Sequence, residues 1–589
     1  MCGIWLYLKK KNYISKISEE ILYEYCNKSK NRGPDQSQYI KLLENDLIIG
    51  FHRLAIMDLS NDGNQPFIIE KNNRKIYAIC NGEIYNYKRL CKKYNIVMES
   101  KSDCNIIPHL YLLLGIEKLS QELIGEFAFC ICDINKETGE TTVYASRDRF
   151  GVRPMYISGN NNEIVISSEL KGSPFLLGDE LNEELNVSFN VEQVKPANYI
   201  YLSNLQENMN DYNYKQYYNL KEEKTIENYF NIIKNDDNKF YDNMMKNIII
   251  NNDVSFINYL INKTLIKIVE DMTMSDRPIG CLLSGGLDSS LIASIASRFL
   301  KSKGKILNTF SIGLEGGTDE PYAKKVAEFI GSHHTHILLD NMEFVNAIKT
   351  IVIPSIETYD ITTVRASTGQ ILISKWIAEN TDIKVLLIGD GSDELTSGYM
   401  YFHNAPSSLE SHNENIRLLD EIHYYDVLRA DRGVASNGIE ARVPYLDVRF
   451  VDLYLSLNKK YRSCYESKAL EKMLLRVAFD DKENQYLPLD VLYRKKEAFS
   501  DGVSSMKKSW YVIIQEYANT LYTDEEYKIK SSKYNHCIPP TKEALYYRDI
   551  FEDNFGKAEI TSLINPHYWL PKWSGNISEP SARILENYN

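Results

Sequence analysis

No CxxC pair occurs among the 10 cysteines of this 589-residue chain, and only Cys130 and Cys132 lie close together. Such scatter argues against a zinc site or a disulfide framework and reads as reduced cytosolic thiols. No apolar run reaches the roughly 18 residues of a membrane span, so no membrane helix is expected. The start lacks a basic segment leading into an apolar core, which points away from secretion and towards the cytoplasm. The sequons at Asn186 and Asn576 are then chance matches. Positive charge is in deficit, with 68 Lys and Arg against 80 Asp and Glu and a net charge of −12. That balance excludes broad binding to nucleic acid or to an anionic membrane, and any phosphate ligand needs a local site. There is no internal repeat. No Gly-Lys-Ser/Thr follows the glycine-rich turn at 284–290, so a Walker-type loop is also excluded.

What is present is enough for two to four domains with full cores. Residues 46–51, 76–80, 127–133, 142–146 and 163–167 are short apolar or alternating runs, read as strands of a β-rich α/β domain over 1–205. A polar stretch rich in Asn, Asp, Lys and Tyr follows and is read as a linker, 206–255. From 256 to 589 the pattern changes. Strand-like 279–283, 306–313, 335–339 and 383–388 alternate with helix-like 288–300 and 319–330. Such alternation predicts a parallel sheet covered on both faces, with ligands at the carboxyl ends of its strands. The two glycine-rich turns, at 284–290 and 389–394, fall there.

Cys2 directly follows Met1. Removal of the methionine would leave a thiol beside a free α-amine, which can take the thiol proton directly or through a water. Four short motifs follow: Arg32-Gly33-Pro34-Asp35, 53–56 (Arg-Leu-Ala-Ile), 81–86 (Asn-Gly-Glu-Ile-Tyr-Asn) and Ser102-Asp103. With Cys2 they resemble the class II glutamine amidotransferases in content and order. The resemblance implies that Cys2 attacks the glutamine amide, while the Asn81 side chain and the Gly82 N–H receive the oxyanion. It implies glutamine binding by Arg53 (on the α-carboxylate), Leu54, Ala55, Ile56, Met57, Asn81, Gly82, and by Glu83 and Asp103 (on the α-ammonium). Where the family usually has His before Arg32, this chain has Asn31, which bears on a secondary contact.

Ser284-Gly285-Gly286-Leu287-Asp288-Ser289-Ser290 joins a strand to a helix. Glycines let backbone approach an anion, and hydroxyls and helix N–H groups point at it. The loop resembles the pyrophosphate loop of synthetases that split ATP into AMP and pyrophosphate. The two halves together resemble the glutamine-hydrolysing asparagine synthetases, closest to the eukaryotic form. Segments 357–367, 426–432, 441–447, 496–502, 567–569 and 580–583 carry that resemblance through nearly the whole chain. It implies an N-terminal αββα glutaminase domain of the Ntn-hydrolase type and a C-terminal doubly wound α/β adenylating domain with added helices. It also implies a nucleotide site of Leu282, Ser284, Gly285, Gly286, Asp288, Ser289, Ile312, Ile388, Gly389, Asp393 and Lys472. Thr362, Arg365, Asp426 and Arg429 would lie on the aspartate and pyrophosphate side, with Asp390 catalytic. The implied ligands are glutamine, aspartate, ATP and Mg²⁺, the last held by Asp288 and Asp393, and a homodimer is the assembly family members often adopt.

Two departures stand out. The family's Ser-Gly-Glu-Gly is Ile388-Gly389-Asp390-Gly391 here, which removes a hydroxyl and draws a carboxylate back by one methylene, roughly 1.5 Å. They predict retuned or impaired synthetase turnover. A regulatory homologue with an impaired synthetase site, or an amidotransferase for another acid, stays open on this ground. His333, His334 and His336 open a strand, where alternation divides them between faces, and are read as surface or satisfied histidines.

Overall fold

The structure, a computed structural model, describes residues 1–43, 46–176, 189–237, 239–242, 244, 253–467, 469–497, 499–505, 507–556, 564–575 and 580. Asn186, Asn576, Ala498 and the 581–583 part of the last family segment lie outside the described residues.

Twelve described strands build the first half. They are β1 (Gly3–Lys9), β2 (Gln36–Leu42), β3 (Leu47–Arg53), β4 (Phe67–Lys71), β5 (Arg74–Ile84), β6 (Gly125–Asn135), β7 (Thr141–Arg147), β8 (Tyr156–Gly159), β9 (Glu163–Ser167), β10 (Asn190–Gln193), β11 (Asn198–Ser203) and β12 (Lys215–Gln216). They form two six-stranded sheets, ordered β10-β8-β9-β1-β3-β2 and β12-β11-β7-β6-β5-β4, with antiparallel pairing throughout. Alternation puts Ile4, Leu6 and Leu8 of β1 against Tyr77 and Ile79 of β5 in the layer between the sheets. The other face of β1, with Trp5 and Tyr7, is covered by the helix Glu19–Asn27 through Leu22 and Cys26. Phe127 and Phe129 of β6 face the helix Ile106–Glu122 instead. The layers therefore run helix, sheet, sheet, helix.

The second half holds one five-stranded parallel sheet, β13 (Ile279–Leu282), β14 (Asn308–Gly313), β15 (His333–Leu338), β16 (Val385–Leu387) and β17 (Glu440–Arg442), in the order β15-β14-β13-β16-β17. The direction of strand addition reverses between β13 and β16. The chain leaves both strands at their carboxyl ends into the two glycine-rich turns, so both turns sit at that reversal. β15 starts earlier than the expected 335–339 because His334 and His336 bond Thr309 and Ser311 of β14. His334 is thus satisfied through both ring nitrogens by β14, whereas His336 is bonded through Nδ1 and its buried Nε2 has no hydrogen-bond partner.

The stretch read as a linker is folded where it is described. β12 pairs with β11, and the helix Ile226–Asp236 buries Tyr229 and Ile233 in the core of the second half. The two halves share apolar packing, with Leu54, Ile56, Tyr85, Phe150 and Val152 in the same cluster as the residues around β13. Ion pairs cross the same interface: Arg153 to Asp431 at 3.3 Å and Arg32 to Asp431 at 2.8 Å.

Candidate active sites

Pairing of β1 with β3 sets Gly3 opposite His52, which brings Cys2 beside Arg53. The Cys2 thiol donates to the Leu54 carbonyl at 3.8 Å. Burial pushes its pKa up to about 11, against the pull of the adjacent amino terminus and of the Leu54 bond. The Met1 amino group is itself buried, which lowers its pKa, and it lies 3.5 Å from Glu440 of the second half.

Asn81 and Gly82 sit in β5, which packs across the sandwich from β1. The Asn81 side chain is fully buried, and neither of its polar atoms has a hydrogen-bond partner. Gly82 has φ +148°, and a Cβ there would stand 2.0 Å from the Glu126 carbonyl of β6, so the strand pairing admits only glycine. Glu83 is buried 3.5 Å from Arg442 of β17, and its other carboxylate oxygen has no hydrogen-bond partner. Asp103 accepts from the Ile84 N–H at 2.5 Å. Burial raises its pKa to about 6, and burial followed by the Asp103 charge drives Glu83 well above the usual carboxylate range.

Arg53 is held differently from the grip on substrate that the resemblance implies. Its guanidinium donates to the Ser60 carbonyl at 2.8 Å, to Asn64 Oδ1 at 2.6 Å, and to the Asp58 carbonyl. It shapes the loop 54–64, and holding a carboxylate as well requires some of these bonds to be exchanged. The loop's carbonyls also face the second half: Ala55 O accepts from Arg277 Nε at 3.0 Å and Ile56 O from the Asp276 N–H at 3.0 Å.

The second site is a cavity of about 180 Å³ at the reversal of the parallel sheet. Leu282, Ser284, Gly286, Asp288, Ser289, Ile312, Thr362, Ile388, Gly389, Asp390, Asp393, Asp426, Arg429 and Lys472 all line it. Gly285 lies beneath the loop, at φ +77°, where a Cβ would meet the Ala323 nitrogen at 2.4 Å. Ser284 Oγ bonds Ser289 Oγ at 3.0 Å and accepts from the Gly286 N–H at 3.3 Å, which shapes the turn. Arg365 is not among the residues lining this cavity, and its guanidinium is bound to Glu543 through two bonds of 2.7 and 2.6 Å.

Charges in the cavity are paired with one another. Lys472 Nζ lies 2.6 Å from both Asp288 and Asp393, and Lys496 Nζ lies 2.6 Å from Asp393. Burial alone would raise the Asp393 pKa, but the two lysines overrule it and hold the carboxyl well below the usual range. Arg429 bridges Asp390 at 2.6 Å and Asp426 at 2.7 Å, and Asp390 also accepts from Gln370 at 3.3 Å. Burial is the main force raising the Asp390 pKa. Tyr399 donates to Glu394, whose carboxyl is driven up by burial and by Asp426.

Among the described residues no group of three or more His, Cys, Asp or Glu could hold a metal ion. Asp288 and Asp393 are hard oxygen donors facing one cavity, which suits Mg²⁺ bound mainly through substrate phosphates better than a metal cage built by protein alone. Their pairing with Lys472 and Lys496 means such an ion would enter with the phosphates that displace the lysines. Sequence reasoning passed over Lys496, Arg494 and Arg476, which also line the cavity. Lys496 belongs to segment 496–502, which carries the family resemblance, and the basic run 494–496 is its signal in the sequence.

Two family models match the chain: "Glutamine amidotransferase domain" over residues 1–230, and "Asparagine synthase" over 260–421 and 410–574. The chain is 41% identical to a probable glutamine-hydrolysing asparagine synthetase of Acanthamoeba polyphaga mimivirus over 601 aligned positions, covering 99% of this chain and all of that protein. It is 38% identical to the Homo sapiens asparagine synthetase and 37% identical to the Gallus gallus one, in each case over 100% of this chain and 99% of the relative.

Proposed function

The chain belongs to the glutamine-hydrolysing asparagine synthetases, and we propose that it makes asparagine from aspartate and glutamine at the expense of ATP, releasing glutamate, AMP and pyrophosphate. The supporting observation is the joining of the two sites in one chain through a shared core. A thiol at position 2 lies in one half, and a phosphate-type loop opens the cavity of the other.

In the first site Cys2 attacks the glutamine amide once Met1 has been removed. With Met1 in place, burial pushes the Cys2 thiol up to about 11, so the thiol is held protonated at neutral pH. Attack requires that its proton be taken, and the α-amine of Cys2 freed by removal of Met1 is the base at hand. Asn81, whose buried amide has no protein partner, supplies with the Gly82 N–H the donors for the oxyanion. Glu83 and Asp103 take the α-ammonium, and Arg53 the α-carboxylate.

In the second site the aspartate β-carboxylate attacks the α-phosphorus of ATP, and pyrophosphate leaves from the loop 284–290. Asp288 and Asp393 would supply protein oxygens to a Mg²⁺ ion entering with ATP, which would screen phosphate charge there. Lys472 and Lys496 exchange carboxylate partners for phosphate oxygens, Arg429 orients the dicarboxylate, and Asp390 sets Arg429. Leu282, Ile312 and Ile388 give the nucleobase apolar walls. Ammonia then attacks the acyl-adenylate and AMP departs. Neutral ammonia would be protonated in bulk water, so its transfer belongs in the buried interface between the halves.

The test is asparagine formation with ATP, Mg²⁺ and aspartate, fed glutamine or ammonium, by wild type and by Cys2→Ala. Both nitrogen sources are expected to serve wild type. The variant is expected to lose glutamine-dependent synthesis by three orders of magnitude or more, on the order of what losing a covalent nucleophile does elsewhere, and to keep ammonium-dependent synthesis. Failure of wild type with both sources would overturn the reading.

A further inference from the structure

Among the described residues, Arg442 is the one cation of the parallel sheet that faces the glutamine site. It ends β17, is fully buried, and reaches Glu83 across the interface at 3.5 Å through an Nη2 with no hydrogen-bond partner. Its other nitrogens are fixed. Nε donates to Glu440 at 2.7 Å, and Nη1 donates to the carbonyls of Met272 and Met274 at 2.7 and 2.6 Å. Its own carbonyl accepts from the Ile388 N–H at 3.0 Å, directly before the turn that carries Asp390 and Asp393.

The segment 272–277 that Arg442 holds is a strap between the sites. At one end it leads into β13 and so into the loop 284–290. Along its length it is fastened to the loop that Arg53 shapes: Asp276 N–H to Ile56 O at 3.0 Å, Asp58 N–H to Asp276 Oδ2 at 2.9 Å, and Arg277 Nε to Ala55 O at 3.0 Å. Both ends proposed for the bound glutamine backbone therefore rest on groups tied to Arg442 or to its strap. An α-ammonium settling on Glu83 places a second cation beside the carboxyl that Arg442 faces and favours its ionised form. The Arg442–Glu83 contact then differs in free energy between the empty and filled site, which is the requirement for a ligand to bias a conformation.

We propose that Arg442 is a positioning residue that, with the strap 272–277, couples glutamine occupancy in the first site to the nucleotide turn of the second. The inference rests on the function proposed above for both sites. Linkage makes the coupling reciprocal for binding, so ATP with aspartate must change glutamine affinity as glutamine changes theirs.

The experiment measures the glutamine KM of the glutaminase with and without Mg·ATP plus aspartate, together with glutamate released per asparagine formed. Wild type, Arg442→Lys and Arg277→Met are compared. Wild type is expected to show a KM shift of about 5-fold or more, the usual lower range for coupled sites. Arg442→Lys keeps the charge but not the forked contacts, and is expected to reduce the shift below about 2-fold and to release excess glutamate, with ammonium-dependent synthesis retained. Arg277 is 32% exposed, so Arg277→Met should fold even if the Arg442 variant does not, and it should shrink the shift through the strap alone. A wild type without a shift, or variants that keep the wild-type shift, would overturn the coupling while asparagine formation leaves the function standing. A wild type that makes no asparagine removes the function, and the coupling with it.

Discussion

In the glutamine site two buried polar groups face the site without a protein partner, whereas in the nucleotide cavity the charges are bound to one another. Asn81 and one oxygen of Glu83 are buried without a protein partner, fixed by the β5–β6 pairing. Lys472, Lys496, Asp288 and Asp393 form a closed set of ion pairs, as do Arg429, Asp390 and Asp426. The first site carries the desolvation of its groups before substrate arrives and regains it in binding. The second avoids that loss by internal neutralisation and must exchange protein contacts for phosphate contacts. A rigid strand suits the former and side chains on turns suit the latter.

The comparison is tested most strongly by removing one group from each side. Asn81→Ala deletes a preorganised donor and is expected to lower glutaminase kcat by about 10²–10³, with little change in ammonium-dependent synthesis. Because Asn81 has no protein partner, the melting temperature should hardly fall. Lys472→Met does the reverse. It leaves Asp288 and Asp393 facing each other with Lys496 alone, and breaking a buried pair costs up to about 3–5 kcal/mol, less here because Lys496 remains at 2.6 Å from Asp393. Synthesis from either nitrogen source should drop about 10²-fold, the melting temperature should fall, and glutaminase activity should persist. An Asn81 variant that unfolds while a Lys472 variant does not would break the contrast.

The same contrast explains what was legible in the sequence. Glutaminase residues cluster in short motifs because one strand and its flanking loops carry them: Asn81, Gly82 and Glu83 are consecutive on β5. The parallel sheet was legible from alternation of strands with helices, since β13 and β16 are short apolar runs ending in glycine-rich turns. Partly exposed β2, with no clean alternation, was not. Nor was the fate of long cations. Arg365 and Arg429 are alike in sequence, but Arg365 is bound by Glu543, 178 residues further on, whereas Arg429 is bound by Asp390 and Asp426. The strap 272–277 escaped notice for a related reason, because its bonds to the glutamine loop run mainly through main-chain groups and leave little mark on composition.

pH separates the sites by a smaller effect. Asp103 has its pKa raised to about 6 by burial, so it takes up a proton as pH falls through 6 and loses the charge that meets an α-ammonium. Glutaminase kcat/KM should therefore fall below about pH 6, approaching tenfold per unit, and Asp103→Asn should remove the step. The stability contribution of Asp103 has the opposite sign. Its folded pKa lies above the ordinary 3.8, so the folded state gains as pH falls through that window. Activity lost without unfolding would then identify titration at the site.

Asp390→Glu is the finest of these tests, because it changes reach without changing charge. Asp390 meets Arg429 at 2.6 Å, and Arg429 also holds Asp426, so the short side chain already satisfies the guanidinium. One more methylene carries the carboxylate roughly 1.5 Å further, past Arg429 and into the cavity where the acyl-adenylate would form. Displacements of that size are felt in chemistry more than in binding. The expected result is a rise in synthetase kcat of about 3- to 10-fold, with the aspartate KM and the glutaminase rate unchanged, read in parallel assays of asparagine and glutamate. A synthetase rate that does not move would mean that Asp390 acts only by holding Arg429, a role the shorter carboxylate already fills. The self-paired cavity would then tolerate a change of reach that the preorganised glutamine site, with its glycine locked against Glu126, could not.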